Sequence, residues 1–493
     1  MQAGGQVWTE LLPNFPLTCL CHTFRIIIVW KFNSCFLSIY AKEVPMPFNS
    51  FLNYPMSWKP DRSRLTRPIY RSLAEQMEKD IAAGFLPPGT RLPPQRELAD
   101  FLDINFTTVT RAYHLCELKG LIYAVTGSGT FVAPNAAKSV TISAGTLAGG
   151  SIDLGFVSSF EQCNDMISDT IASVIKKRRF AELLDYEYPT GMPHHKAAAI
   201  NWLANMGVHT DPDHLAIASG TLNAIALALF SLFEPGARIA VDTYAFVNFI
   251  ELAKMHHLQL VPISGDAEGM IAWELEAQHR LKPIRGVFLS PSCCNPTTIM
   301  ITERRKAALA DVIGRCGMIL IEDDIHAFLS AGIVEDYAGP ISRFLPEQSV
   351  YISGTSKSLC SGLRVAYLVY PDRFREQLLS ALFNINVKTS SLDAEVITEL
   401  ILSGKAGEVT EKKRALAAEM NALFYEFFPE QKGVGHPLSF YRWLPIRDTR
   451  RGSEVERELL DNGIRVYHSD RFLSGPREGQ CYLRISLATA REK

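Results

Sequence analysis

A lysine closes a run of small hydroxyl residues in Ser353-Gly354-Thr355-Ser356-Lys357, and Gly362-Leu363-Arg364 follows, with the arginine seven residues past the lysine. The run lies behind an apolar, strand-like segment, Val350-Tyr351-Ile352. A lysine amine can form a Schiff base with an aldehyde cofactor. The hydroxyls and the arginine can hold a phosphate. Other polar groups sit at comparable places. Ser219-Gly220-Thr221 follows Leu215-Ala216-Ile217 and opens a helix, whose free N–H groups suit an anion. Asn295-Pro296-Thr297 follows Phe288-Leu289-Ser290-Pro291. An asparagine there can donate to a phenolate oxygen, and it reads equally as an ordinary Asn-Pro turn. Glu322-Asp323-Asp324 follows another apolar run. An acid buried at a strand end calls for a cation, and a protonated pyridine nitrogen is one; the other reading is a solvated acidic loop. His326 is a neighbour of that acid, although a lone histidine is more often structural.

The elements that must position these groups are readable. From Ile152 onward, helical stretches alternate with short apolar runs: Leu215 to Ile217, Ile239 to Val241, Gly286 to Leu289, Met318 to Ile321, Val350 to Ile352 and Val365 to Leu368. Such runs suit strands buried on both faces, so the expected fold is α/β with a mainly parallel sheet. Ligands bind where such strands end, and the polar motifs lie there.

A different module precedes this one. Leu73, Met77 and Ile81 recur at helical spacing, and Gly84 and Pro87-Pro88-Gly89 stop the helix. A second short helix runs from Gln95 to Leu102, a turn follows at Asp103-Ile104-Asn105, and a third helix is expected from Thr107 to Leu118. Two alternating runs around Gly127-Ser128-Gly129 read as a hairpin wing. The order predicts a winged helix-turn-helix that binds double-stranded DNA. Asn105, Thr107, Thr108 and Thr110 are hydrogen-bonding residues at the start of the recognition helix, and Arg111 adds a long donor. Arg96 reaches phosphate or guanine from the preceding helix. Gly127 lets the wing tip approach the backbone. Ten Lys and Arg against eight Asp and Glu between Lys59 and Lys119 add only weak electrostatic support, so a helical protein–protein module is the competing reading.

Bulk properties narrow the class. The chain has 493 residues, 47% hydrophobic and 21% charged, with net charge −2. That excludes a protein coated with positive charge, so any DNA contact is local. The ten cysteines include no CxxC pair, which predicts a reduced, cytoplasmic protein without disulfides and without a metal. Phe24 to Tyr40 is apolar but interrupted by Arg25 and Lys31, too short and too charged for a membrane span. Residues 1–60 are therefore expected to be an extension outside the fold, with Met46 or Met56 the more natural beginnings. The expected domains are 64–133 for the winged helix, 134–150 for an Ala/Ser/Thr/Gly-rich linker, and 151–493 for the large domain.

The first module resembles the GntR family of winged helix regulators. The match runs through Pro68-Ile69-Tyr70, Arg91-Leu92-Pro93-Pro94-Gln95-Arg96-Glu97-Leu98-Ala99, Thr107-Thr108-Val109, Ala112-Tyr113 and Gly129-Thr130-Phe131-Val132. Phe106 departs from it, standing where many members carry a polar or basic residue. The ordered motifs of the large domain resemble the fold type I pyridoxal-phosphate aminotransferases. Together the two resemble the MocR subgroup of regulators, which carry an aminotransferase-like domain with a small C-terminal α+β subdomain.

The resemblance implies pyridoxal 5'-phosphate and a set of roles. Lys357 would hold the cofactor as an internal aldimine, Asp323 would pair with the pyridine nitrogen, and Asn295 would bond the ring oxygen. Gly220, Thr221, Ser356 and Arg364 would hold the phosphate. Phe246 would stack on the ring, with Tyr244 a rival. Tyr188 would reach the phosphate of a partner subunit, which implies a homodimer. Arg484 would grip a substrate carboxylate. Departures are His326 for a tyrosine that touches the ring oxygen, Gly354 for a phosphate-binding hydroxyl (with Ser353 or Thr355 compensating), Ser361 for a proline, and an end at Lys493 that implies a shortened C-terminus. The expected function is a DNA-binding regulator that senses an amino compound by external aldimine formation. The alternatives are a working aminotransferase and a sensor of the cofactor itself.

Overall fold

The computed structural model describes residues 56–125, 128–133, 136, 142, 151–177, 180–448, 450–475, 477 and 479–488. Residues 1–55, Gly127 and most of the expected linker lie outside them. In the first module, α1 (Ile69–Ala82) buries Leu73, Met77 and Ile81 along one face and is closed by Gly84 at φ 81°, a conformation that favours glycine. α2 (Gln95–Leu102) ends on Asp103 at φ 48°. α3 (Phe106–Leu118) starts one residue before the expected Thr107, because the Asn105 carboxamide caps it by accepting from the Thr107 N–H at 2.8 Å. α3 buries Val109, Ala112, Tyr113 and Cys116. The Tyr113 hydroxyl donates to the Pro93 carbonyl at 2.7 Å and fixes the angle between α3 and the start of α2. The wing is β1 (Ile122–Val125) paired antiparallel with β2 (Gly129–Val132).

The large domain is built on seven strands. They are β3 (Leu215–Ala218), β4 (Arg238–Asp242), β5 (Gln259–Ile263), β6 (Gly286–Leu289), β7 (Ile319–Asp323), β8 (Ser349–Gly354) and β9 (Ala366–Val369), in the order β3-β9-β8-β7-β6-β4-β5. Only β9 runs antiparallel to its neighbours, β8 and β3. All six apolar runs are strands, and β3, β6 and β8 are buried at every position, as a sheet covered on both faces requires. β5 is the strand the apolar pattern does not mark. It forms the sheet edge and contains Pro262 opposite Val241, a place where a missing N–H is tolerated.

Helices α4 (Pro193–Ala204), α5 (Thr221–Leu232), α6 (Val247–Met255), a single turn α7 (Thr355–Ser358), α8 (Ser391–Leu402) and α9 (Lys405–Phe427) are among those that cover the sheet. Phe249 of α6 stacks on Phe288 of β6 with centroids 3.7 Å apart. A smaller antiparallel sheet follows, β10 (Tyr441–Ile446), β11 (Tyr467–His468) and β12 (Cys481–Ser486), with β12 central. The two halves of the chain touch where α6 ends. His257, at φ 57°, donates from Nδ1 to the carbonyl of Leu118 at the end of α3, 2.9 Å away. No described helix is long and apolar enough to cross a membrane.

Candidate active site and nucleic-acid interface

Strand β8 leads into the single turn α7, which carries Lys357. Its Nζ donates to the carbonyls of Val157 at 2.5 Å and Ser158 at 3.1 Å. Burial, then the charges of Arg484 and Lys413, push its pKa down to about 7, with Glu161 acting in the opposite direction. Lys413 of α9 is itself buried and donates to the carbonyls of Lys357 at 3.2 Å and Leu359 at 2.7 Å. Burial lowers its pKa to about 8.

Beside the lysine lies a corner built by missing side chains. Gly220 precedes α5 at φ 86°, and a Cβ there would lie 2.4 Å from an Arg364 guanidinium nitrogen. Arg364, itself at φ 46°, donates to Ser356 Oγ at 2.8 Å. The Thr221 hydroxyl is buried and has no partner. A Cβ on Gly354 would lie 2.0 Å from that hydroxyl, so Gly354 and Thr221 share one volume. The Thr355 hydroxyl donates to the Val365 carbonyl at 2.9 Å. It is thereby committed to the backbone and does not stand in for a side chain at Gly354.

The three acids Glu322 to Asp324 at the end of β7 are all buried, which overturns the solvated-loop reading. Glu322 accepts from the backbone N–H groups of Ile341 at 2.7 Å and Ser342 at 2.8 Å. Asp324 accepts from Ser292 N–H at 3.3 Å. Asp323, 4% exposed, keeps Oδ1 without a partner. Burial, then the charge of Asp324, raises its pKa to about 7. A cation beside it would reverse that shift. Burial, then Lys357 and His436, push His326 down to about 3, so its ring is neutral. The ring donates to the Cys293 backbone, while Nε2 is buried without a partner. The donating nitrogen is thus Nδ1, and Nε2 is left as an acceptor. A tyrosine hydroxyl, which the resemblance would have there, can donate as well as accept.

Arg484 rises from the middle of β12. It donates to Asn295 Oδ1 at 3.0 Å and to the Gly155 carbonyl at 2.7 Å, and Nε has no partner. Its guanidinium carbon lies 4.8 Å from the Phe472 ring centre. Burial lowers its pKa to about 10. Asn295, joined to Pro296 by a cis peptide, has its oxygen engaged by Arg484, so its amide nitrogen is the group left to donate. Phe246 immediately precedes α6 and is half-buried against the core. Tyr244 is committed elsewhere: its hydroxyl donates to the Gln480 carbonyl at 3.2 Å and its ring packs edge-on against Trp443. Tyr188 is 48% exposed, at φ 54°.

Sequence reasoning missed several members. The carbonyls of Gly155, Val157 and Ser158 act through the backbone, which carries no residue-type signal. Lys413 lies in Glu411-Lys412-Lys413-Arg414, which reads as a solvated charge run. A separate cluster has His194 and His195 both on Glu395 Oε2, at 2.6 and 2.8 Å, with Lys177 on the other oxygen at 2.7 Å.

In the first module the expected DNA-reading residues gather at the start of α3. The Thr107 hydroxyl donates to Asn105 Oδ1 at 2.7 Å, and the Thr110 hydroxyl donates to Gln95 Oε1 at 2.9 Å. Thr108 is half-buried. The Arg96 guanidinium lies 5.7 Å from the Phe106 ring centre, and that of Arg111 lies 4.2 Å from the Tyr70 ring centre. Both arginines are exposed.

Residues 159–493 match the family "Aminotransferase class I and II", and residues 69–132 match "Bacterial regulatory proteins, gntR family". The chain is 33% identical over 442 residues to the uncharacterized HTH-type transcriptional regulator YdeF of Bacillus subtilis, covering 90% of this chain and 95% of that one. It is 24% identical to the probable rhizopine catabolism regulatory protein MocR of Rhizobium meliloti, covering 72% and 76%. Among solved structures, the kynurenine aminotransferase of Pyrococcus horikoshii superposes with a TM-score of 0.63 at 18% identity, covering 70% of this chain and 87% of that chain.

Proposed function

Because the chain belongs to the aminotransferase class I and II family and carries a gntR-family helix-turn-helix module ahead of it, we propose that it is a pyridoxal 5'-phosphate-dependent transcriptional regulator whose large domain senses an amino compound. The observation that carries this reading is two buried polar atoms without partners on the elements that meet at Lys357, Thr221 Oγ1 and Asp323 Oδ1. Native interiors rarely leave such atoms unmatched, and a phosphorylated, cationic aldehyde matches them. When bound, pyridoxal 5'-phosphate supplies an aldehyde that condenses with amines and a ring that withdraws electrons.

The chain's own groups then divide the work. Asp323 holds the proton of the ring nitrogen. Arg364, Ser356, Thr221 and the N–H groups after Gly220 bind the phosphate. Phe246 covers one ring face, and the Asn295 amide donates to the ring oxygen while its carbonyl aligns Arg484. Arg484 engages a carboxylate on the incoming amine. Lys357, about half of it neutral at pH 7, would offer a free electron pair to the aldehyde and give way to a competing amine. Tyr188 serves the phosphate of the second subunit in a homodimer. Arg96, Asn105, Thr107, Thr108, Thr110 and Arg111 face an operator. The amine changes DNA affinity only by the difference in its affinity for two arrangements of the modules.

The test is to titrate the cofactor-loaded protein with a panel of amines by absorbance and to measure affinity for DNA flanking its own gene in parallel. The regulator reading expects a spectral shift with one amine and a change in DNA affinity of about fivefold or more, with no keto acid formed. Repeated conversion of the amine to a keto acid with unchanged DNA affinity would favour the second reading, an active aminotransferase. That reading draws its support from Lys357, whose pKa near 7 also suits a proton-transfer base.

A further inference from the structure

Phe106 is the first residue of α3, and its ring is 42% exposed. The polar side chains around it are engaged within the module. Asn105 caps α3, Thr107 bonds Asn105, and Thr110 bonds Gln95 of α2. Among the described side chains at this end, the Phe106 ring and Arg96, whose guanidinium stands over it, are exposed and carry no such internal bond, while Thr108 is half-buried. Arg111, one turn further on, is likewise carried by the Tyr70 ring. The face therefore combines two cationic groups with an apolar tip. That chemistry fits a phosphate-lined groove with a methyl group on its floor. In B-form DNA the major groove presents one such group, the 5-methyl of thymine, and apolar side chains contact it.

We propose that Phe106 reads a thymine methyl group in the operator and that its ring holds Arg96 toward the adjoining backbone. The inference rests on the DNA-binding reading above. On it, sequence preference at this position comes from apolar contact, and the hydroxyls of Thr107 and Thr110 hold α3 in place.

The experiment uses the full chain loaded with cofactor. Bound duplexes are selected from a random pool, and the selected site is remade with each thymine in turn replaced by deoxyuridine, which removes the methyl and preserves pairing. The protein loses about fourfold in affinity at one thymine of each half-site, the worth of one buried methyl. Phe106→Ala loses a similar factor on the thymine duplex and binds both duplexes alike, whereas Phe106→Leu keeps the difference. Melting temperature controls for folding, since the ring is half in solvent. Equal affinity of the unaltered protein for every substituted duplex overturns the inference while leaving DNA binding intact, and so does a Phe106→Ala variant that keeps the full loss. Selection that returns no bound duplex overturns the DNA-binding reading itself.

Discussion

Lys357 should capture an aldehyde with the pH profile of an amine whose pKa is about 7, and the profile should move when Arg484 is neutralised. At that pKa, about one-tenth of the amine is neutral at pH 6 and about nine-tenths at pH 8, so the capture rate rises about tenfold and then levels off. A lysine at the ordinary value near 10.5 would instead gain about a hundredfold over the same span and show no plateau. The assay is stopped-flow absorbance at the visible band of the lysine–pyridoxal bond, with apo-protein in excess, run from pH 5.5 to 10. Pyridoxal without its phosphate serves as a control for titration of the phosphate. After burial, Arg484 is the largest contributor to the depression. Arg484→Met should therefore shift the midpoint upward, and Lys413→Met should shift it in the same direction. A rate that keeps climbing past pH 9, or a midpoint that Arg484→Met leaves in place, would refute the account of a lysine set by burial and two neighbouring cations.

Asp323 and Gly354 give two further tests. The Asp323 carboxyl is raised to about 7 from an ordinary 3.8, so the folded apo-protein holds a proton there that the unfolded chain releases, and stability falls as pH rises from about 4 to 7. Asp323→Asn should reduce that slope, to which Asp242 and Glu322, also raised to about 7, contribute as well, and raise apo stability at pH 8 by up to a few kcal/mol, while weakening cofactor retention measured by dialysis; an unchanged slope would count against a buried, unpaired acid. Gly354→Ala sets a methyl 2.0 Å from the Thr221 hydroxyl and should weaken cofactor binding about tenfold or more, on the scale of an overpacked core. Adding Thr221→Ala should recover part of the melting temperature, because the two residues compete for one volume; strictly additive losses would argue that they do not.

Where a sequence signal is also the physical cause, it reads through to the structure. The six buried strands announce themselves because both faces of the sheet need apolar side chains, and Lys357 and Asp323 stand out as charged groups at or within those strands, whereas Arg484 lies in β12 of the smaller sheet. β5 escapes because an edge strand tolerates Pro262 and carries a polar Gln259. The start of α3 is displaced by one residue because a cap is decided by a hydrogen bond from Asn105, not by periodicity. Lys413 resembles its solvated neighbours Lys412 and Glu411 until α9 is packed and only one of them faces inward. The carbonyls that meet Lys357 and Arg484 are the hardest to foresee, since any residue supplies one. That Thr221 fills the space of a side chain missing at Gly354, more than 130 residues away, is a fact of three dimensions alone.

The bond from His257 to the Leu118 carbonyl enters two free energies at once. An operator that draws α3 away from the large domain must break it, and so must any ligand that displaces α6, the nine-residue helix whose first turn adjoins Phe246. Once either event has severed the bond, the other proceeds without that cost. A single neutral hydrogen bond is worth about 0.5–1.5 kcal/mol, so the two events favour one another by roughly two- to twelvefold, each by the same factor. A contact that looks like simple docking is thereby enough to couple a ligand of the large domain to one held by α3, even though neither touches the other.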